Sequence, residues 1–469
     1  MADFSTRSLN GPPKTSIWHR RLWGLRFIFH PLETLEARTQ AYGDDYRLSQ
    51  PDAKAALVYF SSPEALEALF TAKPEQLSAG RANQILQALI GEQGLVLLEG
   101  EAHQRQRQLL MPPFHGDRMR SYAHVIQSIT TQVMSPWTVG TTFAVRPAMQ
   151  SISLQVILKA VFGLNAGSRY ERLRQALSQM LDGFGSPISA MLLFYPFLQK
   201  DWGAWSPWGR FLRLRQQVDT LLYAEIADRH RHSDANRTDI LALLMAARDS
   251  EGQPLSDVEL RDELMTLLFA GHETTASALA WALYWITFLP DVYTQLLSEI
   301  DALKTTAEPD PTTIARLPYL NAVCQETLRL YPIAISAFPR VVKQPVTLAG
   351  YDLAAGTVIM PSIYLAHHRA AAYPEPKRFR PERFLERQFS PYEYLPFGGG
   401  DRRCIGSAFA LFEMKLVLFQ LLSNLELRLV NTKPVRPLRR GLTVAPSDQL
   451  RLQVTRSRRS AVSDLATHH

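Results

Sequence analysis

The chain has 469 residues, 46% of them hydrophobic and 20% charged, and its 51 Lys and Arg exceed its 44 Asp and Glu for a net charge of +7. This composition excludes a disordered or collagen-like chain, and a count of two cysteines excludes a disulfide-stapled scaffold and favours a reducing, cytoplasmic compartment. No apolar stretch reaches the roughly 20 residues of a transmembrane helix, so we expect no transmembrane segment.

The chain contains no Gly/Ser-rich or acidic linker, so we expect a single large domain rather than the roughly three domains that its length alone would suggest. We assign residues 1–25 to an N-terminal segment, residues 26–455 to the domain and residues 456–469 to a basic, flexible tail. Arginines crowd the C-terminal end, but no zinc-finger, RNA-binding or helix-turn-helix pattern accompanies them. A solvated tail is therefore favoured over a nucleic-acid partner.

Helical periodicity dominates the chain from residue 63 to residue 330. Within this stretch Ser256 and Glu259 have the spacing of a capping box, which predicts the start of a long helix that continues to Pro290. Residues 279–289 are apolar nearly all round, so this helix is predicted to lie in the interior.

The pattern changes after a further helix that ends before Pro332. Short β-prone runs separated by Gly and Pro follow, and a loop-rich stretch leads to a last apolar helix. We expect strands at 340–342, 346–348, 351–353, 357–360 and within 442–454, and the last helix at 405–422. The sequence therefore predicts a mainly α fold with a small β-rich lobe.

The segment from Phe397 to Gly406, FGGGDRRCIG, combines glycines, arginines and a cysteine. Three successive glycines leave room for the backbone to lie against a flat ligand. Cys404 stands at the predicted start of a helix, where free N–H groups and the helix dipole favour a thiolate, and Arg402 adds a positive charge two residues away. A thiolate beside a flat surface is suited to hold a haem iron. The alternative is a buried structural cysteine after a Gly-rich turn.

This segment resembles the haem-binding loop of the cytochrome P450 family, Phe-x-x-Gly-x-Arg-x-Cys-x-Gly. Every fixed position is matched, by Phe397, Gly400, Arg402, Cys404 and Gly406. The resemblance implies the cytochrome P450 fold, with a long central helix over haem b, Cys404 as the axial iron ligand and Arg402 on a haem propionate. The loop residues that it assigns to the cofactor are Phe397, Gly398, Arg402, Cys404 and Gly406.

The predicted long helix carries a second pattern, Ala270-Gly271-His272-Glu273-Thr274. Small residues allow a flat ligand to approach a helix, and an acid beside an alcohol is unusual in an apolar helix. A zinc-protease interpretation fails because the second histidine of that motif is missing. The pattern is similar to the oxygen-binding groove of the same family. The similarity implies that Ala270 and Gly271 contact haem, and that Glu273 and Thr274 are the catalytic acid and alcohol.

Three further basic residues match the family's order along the chain. His103 and Arg107 share a helix face four residues apart, and Arg340 precedes a predicted strand. The resemblance implies that all three contact haem propionates. A solvated basic face is the alternative for each of them.

Glu326 and Arg329 are spaced to pair on one helix face, and Arg383 follows in a Pro-Glu-Arg-Phe segment. The spacing alone says little, because it recurs at 171–174 and 375–378, where a surface ion pair is the usual outcome. The resemblance implies that Glu326, Arg329 and Arg383 form a buried charged triad behind the haem, which requires a fully hydrogen-bonded network.

The resemblance implies a soluble haem-thiolate monooxygenase most like bacterial members of the family, cyanobacterial ones included. It would insert one oxygen atom from O2 into a C–H bond of a lipophilic molecule such as a fatty acid, terpenoid or steroid. Electrons would come from a ferredoxin or a similar redox partner with its reductase, and the enzyme would be a monomer. The alternatives are a peroxide-driven or rearranging haem-thiolate enzyme and a non-catalytic haem carrier or sensor.

Overall fold

The computed structural model describes most of the chain. The described residues are 7–12, 24–48, 56–114, 116, 118–163, 167–183, 186–232, 234, 237–303, 309–431 and 433–458. Across these ranges no helix is both long enough and apolar enough to cross a membrane.

Helices make up most of the described chain, and several begin at residues that favour a helix start. Ser206, for example, accepts a hydrogen bond from the backbone N–H of Gly209, and Pro207 occupies the first helical turn. Residues 24–29 are helical. The helices that follow are α1 (Pro31–Tyr42), α2 (Pro63–Phe70), α3 (Gln87–Ile90), α4 (Gly100–Leu110), α5 (Arg118–Met134), α6 (Val145–Phe162), α7 (Ser168–Asp182), α8 (Pro187–Phe194), α9 (Pro207–Arg231), α10 (Ile240–Ala246), α11 (Asp257–Phe288), α12 (Pro290–Leu303), α13 (Pro311–Ile314), α14 (Pro318–Leu330), α15 (Ile363–His367), α16 (Arg383–Glu386) and α17 (Ser407–Asn424).

The strands are short and form small separate sheets. They are β1 (Tyr46–Leu48), β2 (Leu57–Phe60), β3 (Leu77–Ser78), β4 (Thr142–Ala144), β5 (Arg340–Val342), β6 (Val346–Leu348), β7 (Tyr351–Leu353), β8 (Val358–Pro361), β9 (Leu425–Leu429), β10 (Pro437–Arg440), β11 (Thr443–Pro446) and β12 (Arg451–Ser457). The largest sheet has the order β1-β2-β8-β5-β3, in which β2 and β8 are parallel. Strands β4, β12 and β9 form an antiparallel sheet, and β6–β7 and β10–β11 form antiparallel pairs.

Helix α11 runs for 32 residues through the largest hydrophobic core. Its first turn has the predicted capping box: the backbone N–H of Ser256 donates to the Glu259 carboxylate at 2.8 Å, and the Ser256 hydroxyl accepts from the Glu259 N–H. Near its other end Trp281 is fully buried and stacks on Tyr331 with ring centroids 3.8 Å apart. Pro290 begins the next helix, so the predicted long interior helix is confirmed.

The mainly α architecture with a small β-rich part is confirmed, and strands β5, β6 and β7 lie at the predicted residues. The predicted strand 357–360 appears one residue later, at Val358–Pro361, and the last helix begins at Ser407 rather than at 405. The early strands β1 to β4 and the late strands β9 and β10 were not predicted. Strand β2 pairs with β8 across about 300 residues of chain, so the β-rich part uses both early and late segments.

The division of the chain at residues 25 and 455 stays a prediction. Strand β12 continues to Ser457, two residues beyond the second boundary. Most of the predicted N-terminal segment and residues 459–469 of the predicted tail lie outside the described residues.

Candidate active site

The loop that leads to Cys404 depends on its glycines for conformation and packing. Gly398 and Gly400 have φ angles of +69° and +65°, a left-handed region that glycine adopts without strain. A Cβ at Gly399 would lie 2.6 Å from the ring of Phe70, so no larger residue fits there. The glycines form a tight turn against helix α2. That they also leave room for a flat ligand stays a prediction.

Cys404 lies at the end of this loop. Its backbone N–H donates to the carbonyl of Phe397 at 3.0 Å, which closes the turn. The thiol is accessible, yet burial by the surrounding protein raises its pKa, while the backbone N–H of Gly406 and the positive charges of Arg107 and Arg403 lower it. A metal ion bound to the sulfur would remove this proton.

Arg402 and Arg340 lie in the same region and are both largely buried. Arg402 donates to the backbone carbonyls of Leu95 at 3.1 Å and Leu98 at 2.6 Å. Arg340 donates to Asp401 at 3.2 Å. Burial lowers the pKa of both guanidinium groups, that of Arg402 to about 10.

His103 and Arg107 lie one turn apart on helix α4. His103 is buried, and its Nε2 has no hydrogen-bond partner among the residues that the structure describes. Burial and the charges of Arg402, Arg107 and Arg340 lower the pKa of His103 to about 4, against a smaller opposing effect of Asp401, so the ring is neutral at pH 7. Burial also lowers the pKa of Arg107. A solvated basic face does not describe this cluster.

Glu273 extends from helix α11 to helix α6. Its carboxylate accepts hydrogen bonds from Arg146 at 3.1 Å and from Gln150 at 2.6 Å. Arg146 is itself buried, and its Nε donates to the exposed carboxylate of Asp448 at 3.0 Å. A continuous series of charged groups therefore connects the protein surface with the middle of the central helix.

The small residues of helix α11 have two different environments. A Cβ at Gly271 would lie 3.0 Å from Ile157 of helix α6, and the Gly271 carbonyl accepts from the Ser153 hydroxyl at 3.2 Å. Gly271 therefore has a role in helix packing, and its contact with haem stays a prediction. Ala270 is exposed although most residues of its helix are buried, and its carbonyl accepts from the Thr274 hydroxyl at 2.6 Å.

The structure brings Glu326, Arg329 and Arg383 together in the interior. Arg329 donates to both oxygens of Glu326, at 2.6 and 2.9 Å, and the Nε of Arg383 lies 3.4 Å from the same carboxylate. Arg329 also donates to the carbonyls of His367 at 2.9 Å and Pro376 at 2.8 Å. Because the side chains of all three members are 0–4% exposed, the surface-pair alternative does not apply to this site.

An open pocket of about 820 Å³ lies between residues 84–93, helix α9 and the start of helix α11. Ile85, Ala88 and Leu193 supply part of its lining. The remaining lining residues are polar or charged, apart from Gly91 and Val258, and are Gln84, Gln87, Glu92, Gln93, Gln199, Arg215, Asp219, Tyr223, Arg261 and Asp262. The lining of this pocket is therefore mostly polar.

Sequence reasoning missed Arg146, Gln150 and Asp401. Arg146 and Gln150 are four residues apart on helix α6, and Ser153 and Ile157 continue the same face toward helix α11. The sequence signal that could have identified this set is an arginine within a helix of mostly apolar residues. Asp401 occupies a variable position of the loop motif, so the motif gave no reason to select it.

The fold and this site define a haem-thiolate protein, and comparison with known proteins gives the family. The sequence model of the cytochrome P450 family matches residues 18–454, so the chain belongs to the cytochrome P450 family. The chain is 38% identical over 439 residues, 93% of its length and 90% of the relative's, to cytochrome P450 135B1 of Mycobacterium tuberculosis. It is 34% identical over 427 residues to cytochrome P450 135A1 of the same species, covering 91% of each chain.

Two solved structures share the fold. The heme domain of cytochrome P450DA superposes with a TM-score of 0.82 at 25% identity, over 97% of this chain and 98% of that one. The cyanobacterial CYP120A1, solved with retinoic acid bound, gives a TM-score of 0.78 at 24% identity, over 92% of this chain and 96% of that one. The chain is therefore a cytochrome P450 monooxygenase with a haem-thiolate cofactor.

The residues around Cys404 fit this cofactor. Arg107, Arg340 and Arg402 are cations whose pKa is lowered by burial, and His103 leaves Nε2 unpartnered beside them. The negative charge of Asp401 raises the pKa of all four groups, and the side chain of Asp401 is half exposed. The cluster therefore has more positive than negative charge. The two propionates of haem b would supply the carboxylates that these cations need as partners.

Proposed function

We propose that this cytochrome P450 inserts one atom of dioxygen into a C–H bond of a lipophilic small molecule, with electrons from a separate redox partner. The observation that carries the proposal is the acid–alcohol pair of helix α11, in which Glu273 is linked through Arg146 to the surface. Bound haem supplies the activation of dioxygen, and Cys404 supplies the thiolate that donates electron density to the iron.

The cationic cluster is proposed to orient the cofactor through its propionates. Arg107, Arg340 and Arg402 would each donate charge-assisted hydrogen bonds, and His103 would donate one from its ring. Exposed Ala270 leaves the face of helix α11 open to a flat group.

Thr274 and Glu273 are proposed to deliver protons. The Thr274 hydroxyl donates to the Ala270 carbonyl and keeps its lone pairs free to accept a further hydrogen bond. Glu273 is the adjacent acid, and Arg146 and Gln150 hold its carboxylate in place. A positioned acid of this kind contributes about 10²–10⁴ in rate.

A lipophilic substrate is supported by apolar residues of the segments that we expect to line the substrate pocket. Leu193 and Ile333 are buried in the largest hydrophobic core, against which Phe269 packs, and Ile335 is buried in a smaller, separate core. Fatty acids, terpenoids and steroids all meet this description. We further propose that the enzyme is a cytoplasmic monomer and that it receives electrons from a ferredoxin and its reductase.

A peroxide-driven or rearranging enzyme and a haem carrier or sensor are the competing functions. Neither requires proton delivery to dioxygen, so the Glu273–Thr274 pair argues against both. A panel of fatty acids, terpenes and steroids is first screened for a change of haem spin state. The best ligand is then turned over with a surrogate ferredoxin, its reductase and ¹⁸O2.

The proposal predicts product with one ¹⁸O atom from the native enzyme. Thr274→Ala should bind the same ligand with similar affinity but divert electrons to hydrogen peroxide, because the alcohol acts on protons rather than on substrate affinity. Product that forms only from added peroxide, or an unchanged yield per electron in the variant, would contradict the proposed function.

A further inference from the structure

The open pocket of about 820 Å³ between residues 84–93, helix α9 and the start of helix α11 combines apolar with charged side chains. Tyr223 and Val258, which are 38% and 51% exposed, belong to its lining together with the buried Leu193. Large hydrophobic side chains that stay exposed beside charged groups are typical of a site for a ligand with both kinds of surface. The pocket therefore fits an amphiphilic molecule.

The carboxylates of this pocket already have hydrogen-bond donors. Asp219 accepts from Arg261 at 2.8 Å, and Asp262 accepts from the same guanidinium at 2.6 Å. Glu92 accepts from the side-chain amide of Gln87 at 2.9 Å. The acidic residues of the lining are thus paired without a ligand.

Arg215 of helix α9 is in a different situation. Its Nε lies 3.8 Å from Asp219, beyond hydrogen-bonding distance, and is buried without a hydrogen-bond partner in the part of the chain that the structure describes. The side chain is 26% exposed and lines the pocket, so a ligand there can contact it. Burial and the positive charge of Arg261 lower the pKa of the Arg215 guanidinium, and Asp219 only partly offsets them.

The group that Arg215 lacks is an anion of one negative charge. The planar fork of N–H donors in a guanidinium matches the two oxygens of a carboxylate. A phosphate dianion suits the pocket less well, because the carboxylates of Glu92, Asp219 and Asp262 already line it.

Helix α11 connects this pocket with the residues proposed to deliver protons. Arg261 belongs to the pocket wall, and Thr274 follows 13 residues later on the same helix, a separation of about 20 Å at 1.5 Å per residue. Phe269 lies between them and packs against the same hydrophobic core as Leu193 of the pocket. A long acyl chain can span this separation, whereas a compact ring system held at Arg215 would end short of Thr274.

We propose that this pocket binds the carboxylate of a long-chain fatty acid at Arg215, with the acyl chain directed along helix α11 toward Thr274. The inference rests on the proposed oxygenase function and narrows its substrate class, because a neutral terpenoid or steroid offers Arg215 no anion. Oxygen would be inserted in the part of the chain that is remote from the carboxylate.

Isothermal titration calorimetry of the holoenzyme with palmitic acid and with hexadecanol tests the proposal. Arg215→Gln should weaken the binding of palmitic acid about tenfold or more, since a charged hydrogen bond is lost, and leave the binding of hexadecanol unchanged. Arg215→Lys should retain part of the affinity, because it keeps the charge but not the planar fork. Arg210→Gln removes the same charge from an exposed position of the same helix outside the pocket and is the matched control.

Each variant is first checked for native haem content and melting temperature, which should be unchanged because Asp219 keeps Arg261 as its partner. Four results would overturn the proposal: no binding of palmitic acid to native enzyme, native affinity in Arg215→Gln, equal losses for the acid and the alcohol, or oxygen inserted beside the carboxylate. Failure of the proposed function gives a different result. Palmitic acid would then bind through Arg215 but acquire no oxygen from ¹⁸O2.

Discussion

Glu273 shows how a charged side chain is retained in the apolar central helix. A carboxylate at this depth is costly unless it is paired and hydrogen-bonded, and Arg146 and Gln150 supply both kinds of contact. Arg146 also contacts Asp448, which is exposed and accepts from Arg440 as well. We infer that Arg146 positions Glu273 and connects it with the groups at the surface.

Arg146→Gln tests this role at the residue scale. The variant keeps a polar side chain beside Glu273 but removes the charge and the contact with Asp448, so we expect native ligand affinity, about tenfold less product per electron and more hydrogen peroxide. The pH profile of product yield should also shift. Arg440→Gln, which removes another contact of Asp448, is the matched control and should keep the native yield. Equal yields from Arg146→Gln and native enzyme would exclude this role.

The sequence was sufficient to select Glu273, Thr274 and Cys404, because each stands in a short contiguous motif. It was not sufficient to select Arg146, because this residue lies 127 positions before its partner and only the packing of helix α6 along helix α11 brings the two together. The need for glycine at position 271 also could not be predicted, because it depends on contact with Ile157 of the same neighbouring helix. Short motifs thus identify reacting groups, while tertiary packing determines what supports them.

At the scale of secondary structure, the same spacing of Glu and Arg has two different outcomes. Glu–Arg pairs at positions i and i+3 occur at 171–174, 326–329 and 375–378, each within hydrogen-bonding distance. The side chains of the first and third pairs are 38% to 66% exposed, whereas those of Glu326 and Arg329 are 0% exposed. Because helix α14 is buried, its Glu326–Arg329 pair is part of an internal network. This network also contacts the segment of residues 367–383.

Removing Glu326 should be far more damaging than removing Glu375. Glu326→Ala leaves Arg329 and Arg383 buried without a carboxylate, which should cost about 3–5 kcal/mol of folding free energy. Glu375→Ala removes the same contact at the surface and should cost less than about 1 kcal/mol. Thermal unfolding and haem content of the two variants measure the difference. Similar melting temperatures for both would show that the triad does not hold the fold together.

The secondary structure itself was predictable where the chain gives strong local signals. The capping box at Ser256 and Glu259 and the proline at 290 bracket helix α11 because both act within a few residues. Strands β1, β2 and β4 were missed although they are as long as β5 to β8. The pairing of β2 with β8, about 300 residues away in the chain, cannot be read from local sequence.

For the whole molecule, the position of exposed charge bears on electron delivery. Three basic residues, Arg402, Arg403 and Lys415, lie close to Cys404 in the sequence. Arg402 is engaged by the carbonyls of Leu95 and Leu98, and Lys415 donates to the carbonyl of Ala315 at 2.9 Å. Arg403 is exposed. It is therefore the residue of this set that we propose to meet an acidic ferredoxin.

Electron transfer from an acidic ferredoxin should fall steeply as ionic strength rises, because screening acts over about 8 Å at physiological salt and charge mainly sets the association rate. Arg403→Glu should lower the rate at low salt and flatten the salt dependence. Arg451→Glu changes the net charge by the same amount on an exposed position of strand β12 and is the control. A native rate that is independent of salt, with electron transfer shown to be limiting, would rule out electrostatic docking.

The central claim is that Cys404 holds haem iron through sulfur, and the spectrum of the reduced enzyme under carbon monoxide tests it most directly. The protein has one other cysteine, Cys324, which is fully buried and whose pKa burial raises to about 12. We predict that native enzyme and Cys324→Ala show the strongly red-shifted Soret band of thiolate ligation and that Cys404→Ser lacks it. Persistence of that band in Cys404→Ser, or its loss in a folded Cys324→Ala, would contradict the account.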